Sequence, residues 1–188
     1  IRRGTKLDLW DAYKDIAEPY IKGRDRFEVD ERIDYSGQVI KEVEEAEVVE
    51  LARILRKREI KSIAIGFMNA YVNGENERKV KEILARELPE VHISLSSEVL
   101  PEIFEHERLS TTIINAVLGP TVGNYVKDLE KEVKAIGYDG DTLVLHSGGG
   151  VMTANTVSKF ASRTASSGIA SGAIASRYIA QLCGFKNA

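Results

Sequence analysis

The chain contains 188 residues, of which 43% are hydrophobic and 29% are charged. This composition is typical of a folded globular domain and argues against an intrinsically disordered or a membrane protein. The formal net charge is only −3, so the chain lacks the excess of positive charge that nucleic-acid binding requires. The single Cys183 cannot form an internal disulfide, which favours a reducing compartment. We therefore expect a cytoplasmic protein with no nucleic-acid or membrane partner.

The first half of the chain predicts a hairpin followed by alternating helices and strands. Apolar and polar residues alternate over 27–43 around turn residues at 34–37, which predicts a β-hairpin. Helical spacing of apolar residues predicts a helix over 44–58, and the apolar run 61–67 predicts a strand. The same order repeats with a helical stripe from Val80 to Leu88 and a strand over 91–95. Alternation of this kind predicts an α/β architecture with a largely parallel sheet.

The second half predicts a long helical region and two further helices. A helical stripe runs from Leu109 to Ile136 and contains Pro120, so we expect two helical pieces that meet near the proline. Residues 142–146 form an apolar strand pattern, which is followed by a glycine-rich loop and a helix from about Thr153. A final helix rich in small residues is predicted from Gly168 to Leu182.

The glycine-rich loop, His146 to Met152, is the first candidate site. In open α/β sheets, ligands bind beyond the carboxyl ends of the strands. Ser147, Gly148, Gly149 and Gly150 would let backbone N–H groups approach a phosphate closely. The loop matches neither the P-loop nor the dinucleotide-binding fingerprint. A tight turn that merely needs glycine is the alternative.

A second candidate is the segment from Thr164 to Gly172. Ser166 or Ser167 could cap the final helix, and exposed N–H groups at a helix start attract anions. The small residues that follow, Gly168 among them, would also allow close packing against a sheet. Both interpretations are open from these residues alone.

A third candidate is the polar cluster from Glu102 to Thr112. It contains Glu105, His106, Glu107 and Arg108 in succession, and a histidine beside a carboxylate can act as a general acid or base. The alternative is a set of solvated charges in front of a helix that Ser110 caps. The three histidines, His92, His106 and His146, are widely spaced and match no metal-binding motif, so we predict no metal site in this chain.

Two long motifs give the chain a resemblance to a known family. The segment from Ser94 to Val117 is similar to the pattern S-S-E-x-x-P-E-x-x-E-[YH]-E-R-x-S-T, and H-S-G-G-G-V-M is similar to a loop that often reads S-N-G-G. The stretch from Arg163 to Gly172 resembles an S-G-P-A-A-G loop in which Ile169 replaces proline. Over essentially its whole length the chain resembles the hydantoinase A, oxoprolinase and acetone carboxylase family of ATP-dependent enzymes.

The departures from the family patterns indicate one branch. His106 in place of the commoner tyrosine, Gly148 in place of asparagine, the small-residue run that ends at Arg177, and W-D-A-Y-K-D at 10–15 look most like the acetone carboxylase branch. Within that branch, the chain is most similar to the nucleotide-binding, hydantoinase-A-like β subunit.

The resemblance implies a fold, a chemistry and a set of partners. The fold would be a segment of the actin-like, Hsp70-like ATPase type (ribonuclease H-like), with residues 1–105 closing one family domain and 106–188 starting another. ATP with Mg²⁺ would phosphorylate a ketone enolate and bicarbonate, and a partner subunit would carry Mn²⁺ or another metal. Residues 147–150, Ser167 and Gly168 would line the nucleotide cleft. Glu105, His106, Glu107 and Arg108 would serve the substrate.

The resemblance leaves two alternatives to a ketone carboxylase. The first is an N-methylhydantoinase or 5-oxoprolinase that hydrolyses a cyclic amide after phosphorylating it. The second is a non-catalytic assembly module, because this chain contains neither of the D-x-G-G-T-x-x-D phosphate loops of the superfamily. The chain is expected to lie between the two loops of a larger protein, and to be inactive alone.

Overall fold

The computed structural model describes residues 10, 11, 13 and 19–185. Part of the W-D-A-Y-K-D segment, residues 12, 14 and 15, lies outside these described residues, as does the end of the chain at 186–188. The chain divides into two compact units, Ile1–Ala116 and Val117–Ala188, and each is described by itself. A domain boundary at 105/106 stays a prediction.

The first unit opens with the predicted hairpin. A short 3-10 turn at Gly23–Asp25 precedes strands β1 (Arg32–Ile33) and β2 (Val39–Lys41), which pair antiparallel. In the connecting turn, Oδ1 of Asp34 accepts hydrogen bonds from the N–H groups of Ser36 and Gln38 over 2.8 and 2.9 Å. This side-chain turn is the physical reason that residues 34–37 interrupt the alternation, and the hairpin prediction is confirmed.

A strand-helix-strand unit forms the centre of the first unit. Helix α1 (Glu45–Lys57) precedes strand β3 (Ser62–Ile65), helix α2 (Glu75–Glu87) and strand β4 (His92–Leu95). β3 and β4 pair parallel and in register from Ser62 opposite His92 to Ile65 opposite Leu95, which confirms the predicted α/β alternation. Apolar faces of the two helices and the two strands share one core, whose buried members are Val43, Val48, Ala52, Leu55, Ile65, Val80, Ile83, Leu84, Leu88 and Leu95.

Helix α4 corrects two expectations about the middle of the chain. After the short helix α3 (Ser96–Val99), α4 runs without interruption from Glu105 to Ala135 with Pro120 inside it. The prediction of two helical pieces is wrong, because proline removes only one backbone N–H donor while the turns on both sides keep theirs. Ser110 lies within the helix and does not cap it, since the helix begins five residues earlier.

The second unit contains an antiparallel pair of strands and two helices. β5 (Leu143–Leu145) pairs antiparallel with β6 (Val151–Thr153), and helices α5 (Ala154–Lys159) and α6 (Ser167–Leu182) follow, with a 3-10 turn at 161–164 between them. The glycine-rich loop therefore connects two strands, whereas the sequence predicted a strand-to-helix loop. Val126 of α4, Met152, Ala154 and Val157 form the buried core of this unit.

The strand pairings differ in part from the sequence prediction. Within residues 19–185, the strands form three two-stranded sheets, of which only β3 and β4 pair parallel. The other two pairs are hairpins, because their connections are short turns that cannot form a parallel crossover. Over the same residues, no helix is both long enough and apolar enough to cross a membrane.

Candidate functional site

The first turn of α4 brings the predicted polar cluster together but points its members in different directions. The side chains of Glu105, His106 and Glu107 are 33%, 31% and 36% exposed. The side chain of Arg108 is fully buried. Nδ1 of His106 lies 4.0 Å from Oε1 of Glu107, and Oε1 of Glu105 lies 3.8 Å from Nη2 of Arg108. Three of the four predicted residues are therefore accessible to a ligand.

The buried guanidinium of Arg108 is held mainly by carbonyl oxygens. Nη1 donates to the carbonyl of Glu102 over 2.6 Å, and Nη2 donates to the carbonyl of Phe67 over 3.0 Å. The guanidinium carbon also lies 5.5 Å from the ring centre of Tyr71. These contacts join the end of β3 to the segment that leads into α4. Arg108 thereby fixes the start of the helix on which Glu105, His106 and Glu107 stand.

A second buried side chain, Glu77 of α2, completes this arrangement. Oε1 of Glu77 accepts hydrogen bonds from the N–H of Phe67 over 3.0 Å and from Oγ of Ser96 over 2.5 Å, and Oε2 accepts from the N–H of Ser97 over 2.9 Å. Nε of Arg108 donates to the same Ser96 hydroxyl over 3.3 Å. Glu77, Ser96 and Arg108 are each fully buried, so the polar residues under the start of α4 form one connected group.

The sequence carries a signal for Glu77 that motif analysis missed. Glu77 is spaced three and seven residues before Val80 and Leu84, which places it on the same face of the helix as these apolar residues. A charged residue at a core position of a helix must find partners when it is buried. This spacing could have identified Glu77, although its partners just after β3 and in α3 could not be read from the sequence.

In the first unit, the fully buried side chains of α4 are polar where an apolar stripe was predicted. Arg108, Thr112 and Asn115 are fully buried at helical spacing, whereas Val117 of the predicted stripe is 63% exposed. Nδ2 of Asn115 donates to Oγ of Ser94 over 3.0 Å. These polar side chains can be buried in the first unit because hydrogen bonds within the protein replace those they would make with water.

Close backbone contact also fixes the position of α4. A Cβ atom added to Gly66 would lie only 1.9 Å from Cδ2 of Leu109. A larger residue where β3 ends would therefore displace the Leu109 side chain that packs there. The first turn of α4 lies directly over the carboxyl end of a parallel strand, where ligands bind in α/β folds.

Glu31 is a further carboxyl group near Glu77. Burial raises the pKa of Glu31 above its ordinary value, while the hydrogen bond from Asn76 acts to lower this pKa and the nearby Glu77 adds to the increase. Nδ2 of Asn76 donates to Oε2 of Glu31 over 2.8 Å and to the carbonyl of Lys41 over 3.1 Å. This contact ties the hairpin to α2.

In the second unit, the glycine-rich loop is a closed hairpin turn. The N–H of His146 donates to the carbonyl of Gly150 over 2.9 Å, and the N–H of Gly149 donates to the carbonyl of His146 over 2.9 Å. Gly149 has a φ of +84°, which is the left-handed conformation that ends a three-residue hairpin loop. The alternative of a turn that needs glycine therefore accounts for Gly149.

Two further N–H groups of the loop are also engaged. The N–H of Ser147 donates to the carbonyl of Arg163 over 2.8 Å, and the N–H of Gly148 donates to Nδ1 of His146 over 3.0 Å. With Gly149, three successive N–H groups thus have partners within the protein. In this conformation the loop does not offer them to phosphate oxygens, so its residues do not fit the phosphate cradle of a nucleotide as they stand.

The start of α6 is more open. Ser166 precedes the helix with a φ of +61°, and its side chain makes no capping hydrogen bond. A Cβ atom added to Gly168 would meet nothing within 4 Å. A helix start of this kind fits an anion by its N–H groups and its dipole. A close contact also links the helix to the loop, since a Cβ atom on Gly149 would lie 3.1 Å from Cδ1 of Ile174.

Metal ligands do not cluster in the described part of the chain. No group of three or more histidine, cysteine, aspartate or glutamate side chains there is placed to hold a metal ion. The predicted substrate residues lie in the first unit, and the predicted nucleotide residues lie in the second.

Family models match both halves of the chain. The hydantoinase/oxoprolinase N-terminal region matches residues 1–88, and the hydantoinase/oxoprolinase domain matches residues 108–188. The chain belongs to the hydantoinase/oxoprolinase family. The second match begins at Arg108 and includes the glycine-rich loop and the start of α6, and the first includes Glu77. The resemblance found in the sequence motifs is confirmed.

Relatives within this family include carboxylases and an enzyme named for a cyclic amide. The chain is 33% identical over 164 residues to the acetophenone carboxylase gamma subunit of Aromatoleum aromaticum. This alignment covers 85% of this chain and 22% of the relative. The chain is also 28% identical over 189 residues to the caprolactamase subunit alpha of Pseudomonas jessenii. That alignment covers 100% of this chain and 27% of the relative.

A solved structure shares the fold. The nucleotide-free structure of acetone carboxylase, described as part of the mechanism of ATP-dependent acetone carboxylation, superimposes with a TM-score of 0.73 at 26% identity. The match covers 85% of this chain and 23% of the other. The predicted actin-like, Hsp70-like type of fold is confirmed, and the chain spans about a quarter of the length of the relatives it matches.

Proposed function

We propose that this chain is a segment of an ATP-dependent ketone carboxylase subunit, which activates its substrate by phosphorylation. The observation that carries the proposal is the combined similarity to acetophenone carboxylase in sequence and to acetone carboxylase in structure. The accessible cluster at the start of α4 supports it, because it places a histidine and two carboxyl groups over the carboxyl end of β3.

The residues of the first unit have distinct proposed roles. His106 is the general acid or base for proton transfer at the ketone, and Glu107, 4.0 Å from its Nδ1, orients its ring. Glu105 orients the substrate from the same helical turn. Arg108 is a positioning residue in this proposal, because its fully buried guanidinium is bonded to carbonyl groups of the protein.

The residues of the second unit have a proposed role towards the nucleotide. Ser167 and Gly168, at the open start of α6, are the better placed group for an anionic phosphate. Residues 147–150 join them only after the N–H groups of the loop lose their present partners. ATP with Mg²⁺ would supply the phosphoryl group, and a metal such as Mn²⁺ would belong to a partner subunit of the assembly in the cytoplasm.

A cyclic amide hydrolase is the second candidate function. It is favoured by the similarity to caprolactamase subunit alpha, which extends over the whole of this chain. Both functions need donors that stabilise negative charge on a carbonyl oxygen. Within the cluster at the start of α4, the ring N–H of His106 is such a donor for either reaction.

The test is substrate-stimulated release of phosphate from ATP by the full-length protein with its partner subunits. Stimulation by acetone plus bicarbonate supports the carboxylase, and stimulation by hydantoin or 5-oxoproline supports the cyclic amide hydrolase. A His106→Gln variant is the matched control, since it keeps a polar side chain of similar size and cannot transfer the proton. If no substrate stimulates phosphate release, both proposals are wrong and the assembly-module alternative is favoured.

A further inference from the structure

The imidazole of His146 lies across the glycine-rich loop that follows it. Its Nδ1 accepts a hydrogen bond from the N–H of Gly148 over 3.0 Å. A Cβ atom added to Gly148 would lie 2.9 Å from Cε1 of the ring, and one added to Gly150 would lie 2.6 Å from Nε2. The ring thus covers the side of the loop on which both glycines lack a side chain.

The hydrogen bonds of His146 differ in how easily they break. Its backbone bonds to Gly149 and Gly150 belong to the hairpin between β5 and β6. The bond from Gly148 depends instead on the rotamer of a partly exposed side chain. Rotamer changes are fast compared with the opening of a hairpin. The N–H of Gly148 is therefore the loop donor that can be released without unfolding the turn.

We propose that His146 is a gating residue of the loop formed by residues 147–150. Its ring holds the loop closed through the Nδ1 to Gly148 hydrogen bond, and it turns away when a phosphate group binds there. Release of the ring frees the N–H of Gly148 and uncovers the Cα atoms of Gly148 and Gly150, which gives the loop one free donor for an anionic oxygen. This proposal rests on the proposed function, because it presumes a ligand that carries phosphate.

The closed position of His146 lowers the affinity of the protein for the nucleotide, because a phosphate oxygen must compete with the His146 ring for the N–H of Gly148. An intramolecular hydrogen bond of this kind corresponds to about a fivefold change in an equilibrium constant. Substitution of His146 by alanine is therefore expected to tighten nucleotide binding by about fivefold. A residue whose role was to support the turn would have the opposite effect when it is removed.

The test compares two variants of the full-length protein by isothermal titration calorimetry with a non-hydrolysable ATP analogue. His146→Ala removes both the ring and the acceptor, and is expected to bind about fivefold more tightly than the wild type. His146→Asn is the matched control, because asparagine accepts a hydrogen bond from the N–H two residues later. We expect this variant to stay within about twofold of the wild type.

Hydrogen exchange at the Gly148 amide provides a second readout. In the ligand-free protein, exchange at Gly148 is expected to be faster in His146→Ala than in the wild type and in His146→Asn. The analogue is expected to slow this exchange in all three proteins.

Three outcomes would overturn the gate. They are an alanine variant that binds no more tightly than the wild type, an asparagine variant that gains as much affinity as the alanine variant, and Gly148 exchange that the alanine substitution does not change. Absence of analogue binding in every protein would instead contradict the proposed function, and the gate would fail with it.

Discussion

Oγ of Ser96 donates a hydrogen bond to Oε1 of Glu77 over 2.5 Å, and both side chains are fully buried. The same hydroxyl accepts a hydrogen bond from Nε of Arg108, so it connects α2 to α4. A buried polar group of this kind is stable only when each member has its partners. The position of the candidate substrate residues therefore depends on Glu77, which lies on a different helix.

Substitution of Glu77 tests this dependence. Glu77→Ala would leave Ser96 Oγ and the N–H groups of Phe67 and Ser97 without their acceptor. We expect it to lower the free energy of unfolding by about 3 to 5 kcal/mol, as measured by urea denaturation. Glu82→Gln on the exposed face of the same helix is the control and should change it by less than about 0.5 kcal/mol. A loss for Glu77→Ala as small as that of the control would contradict the network.

Substitution of His106 should separate catalysis from stability. Its side chain is 31% exposed, and the ion-pair distance to Glu107 is 4.0 Å. His106→Gln is therefore expected to change the free energy of unfolding by less than about 0.5 kcal/mol. The same variant should lower turnover of the complete enzyme by about 100-fold or more, because the proton transfer group is lost. Full turnover in this variant would refute the proposed role.

Arg108→Lys serves as the opposite control for this experiment. Lysine cannot reproduce the guanidinium contacts to the carbonyl groups of Glu102 and Phe67. We therefore expect a clear loss of stability in Arg108→Lys, in contrast to His106→Gln. Equal stability of the two variants would mean that Arg108 does not position the helix.

The raised pKa of Glu31 gives a pH dependence with a defined sign. Because burial makes the folded pKa higher than the unfolded pKa, the folded state binds more protons between the two values. Stability then decreases as the pH rises through this range. Ionised Glu31 therefore destabilises the fold at neutral pH. Glu31→Gln, which can keep the hydrogen bond from Asn76, should be more stable than the wild type at pH 7.

The advantage of Glu31→Gln should disappear in acid, where the wild-type carboxyl group is also neutral. Urea denaturation at pH 7 and at about pH 4 would measure this change. Glu28→Gln is the control, because Glu28 is an exposed glutamate just before the hairpin. A gain that is the same at both pH values would not arise from the titration of Glu31.

Two glycines of the second unit should respond in opposite ways to alanine. Gly149 has a φ of +84°, and a Cβ atom there would lie 3.1 Å from Cδ1 of Ile174. Gly149→Ala should therefore lower stability by about 1 to 2 kcal/mol. Gly172 lies inside α6 with no atom within 4 Å of an added Cβ, so Gly172→Ala should raise stability by up to about 1 kcal/mol. Thermal unfolding followed by circular dichroism measures the stability of both variants. Equal changes in stability would contradict the requirement for glycine at position 149 of the turn.

Local sequence patterns determined the elements whose stability depends on near neighbours. The turn residues 34–37 predicted the hairpin because Asp34 satisfies the backbone of its own turn. Helical and strand spacing predicted α1, α2, β3 and β4, since each presents an apolar face to the core that they share. The long motifs identified the family, because they extend across several elements.

Only the tertiary structure decided what the polar residues do. Sequence placed Arg108 beside Glu105, His106 and Glu107, but its guanidinium is buried, because carbonyl groups of Glu102 and of the distant Phe67 accept its hydrogen bonds. Sequence likewise placed three glycines after a strand, and the pairing of β5 with β6 made them a hairpin turn covered by His146. Such roles depend on contacts between residues far apart in the chain or on the rotamer of one side chain. The spacing of apolar and polar residues in the sequence shows neither of these.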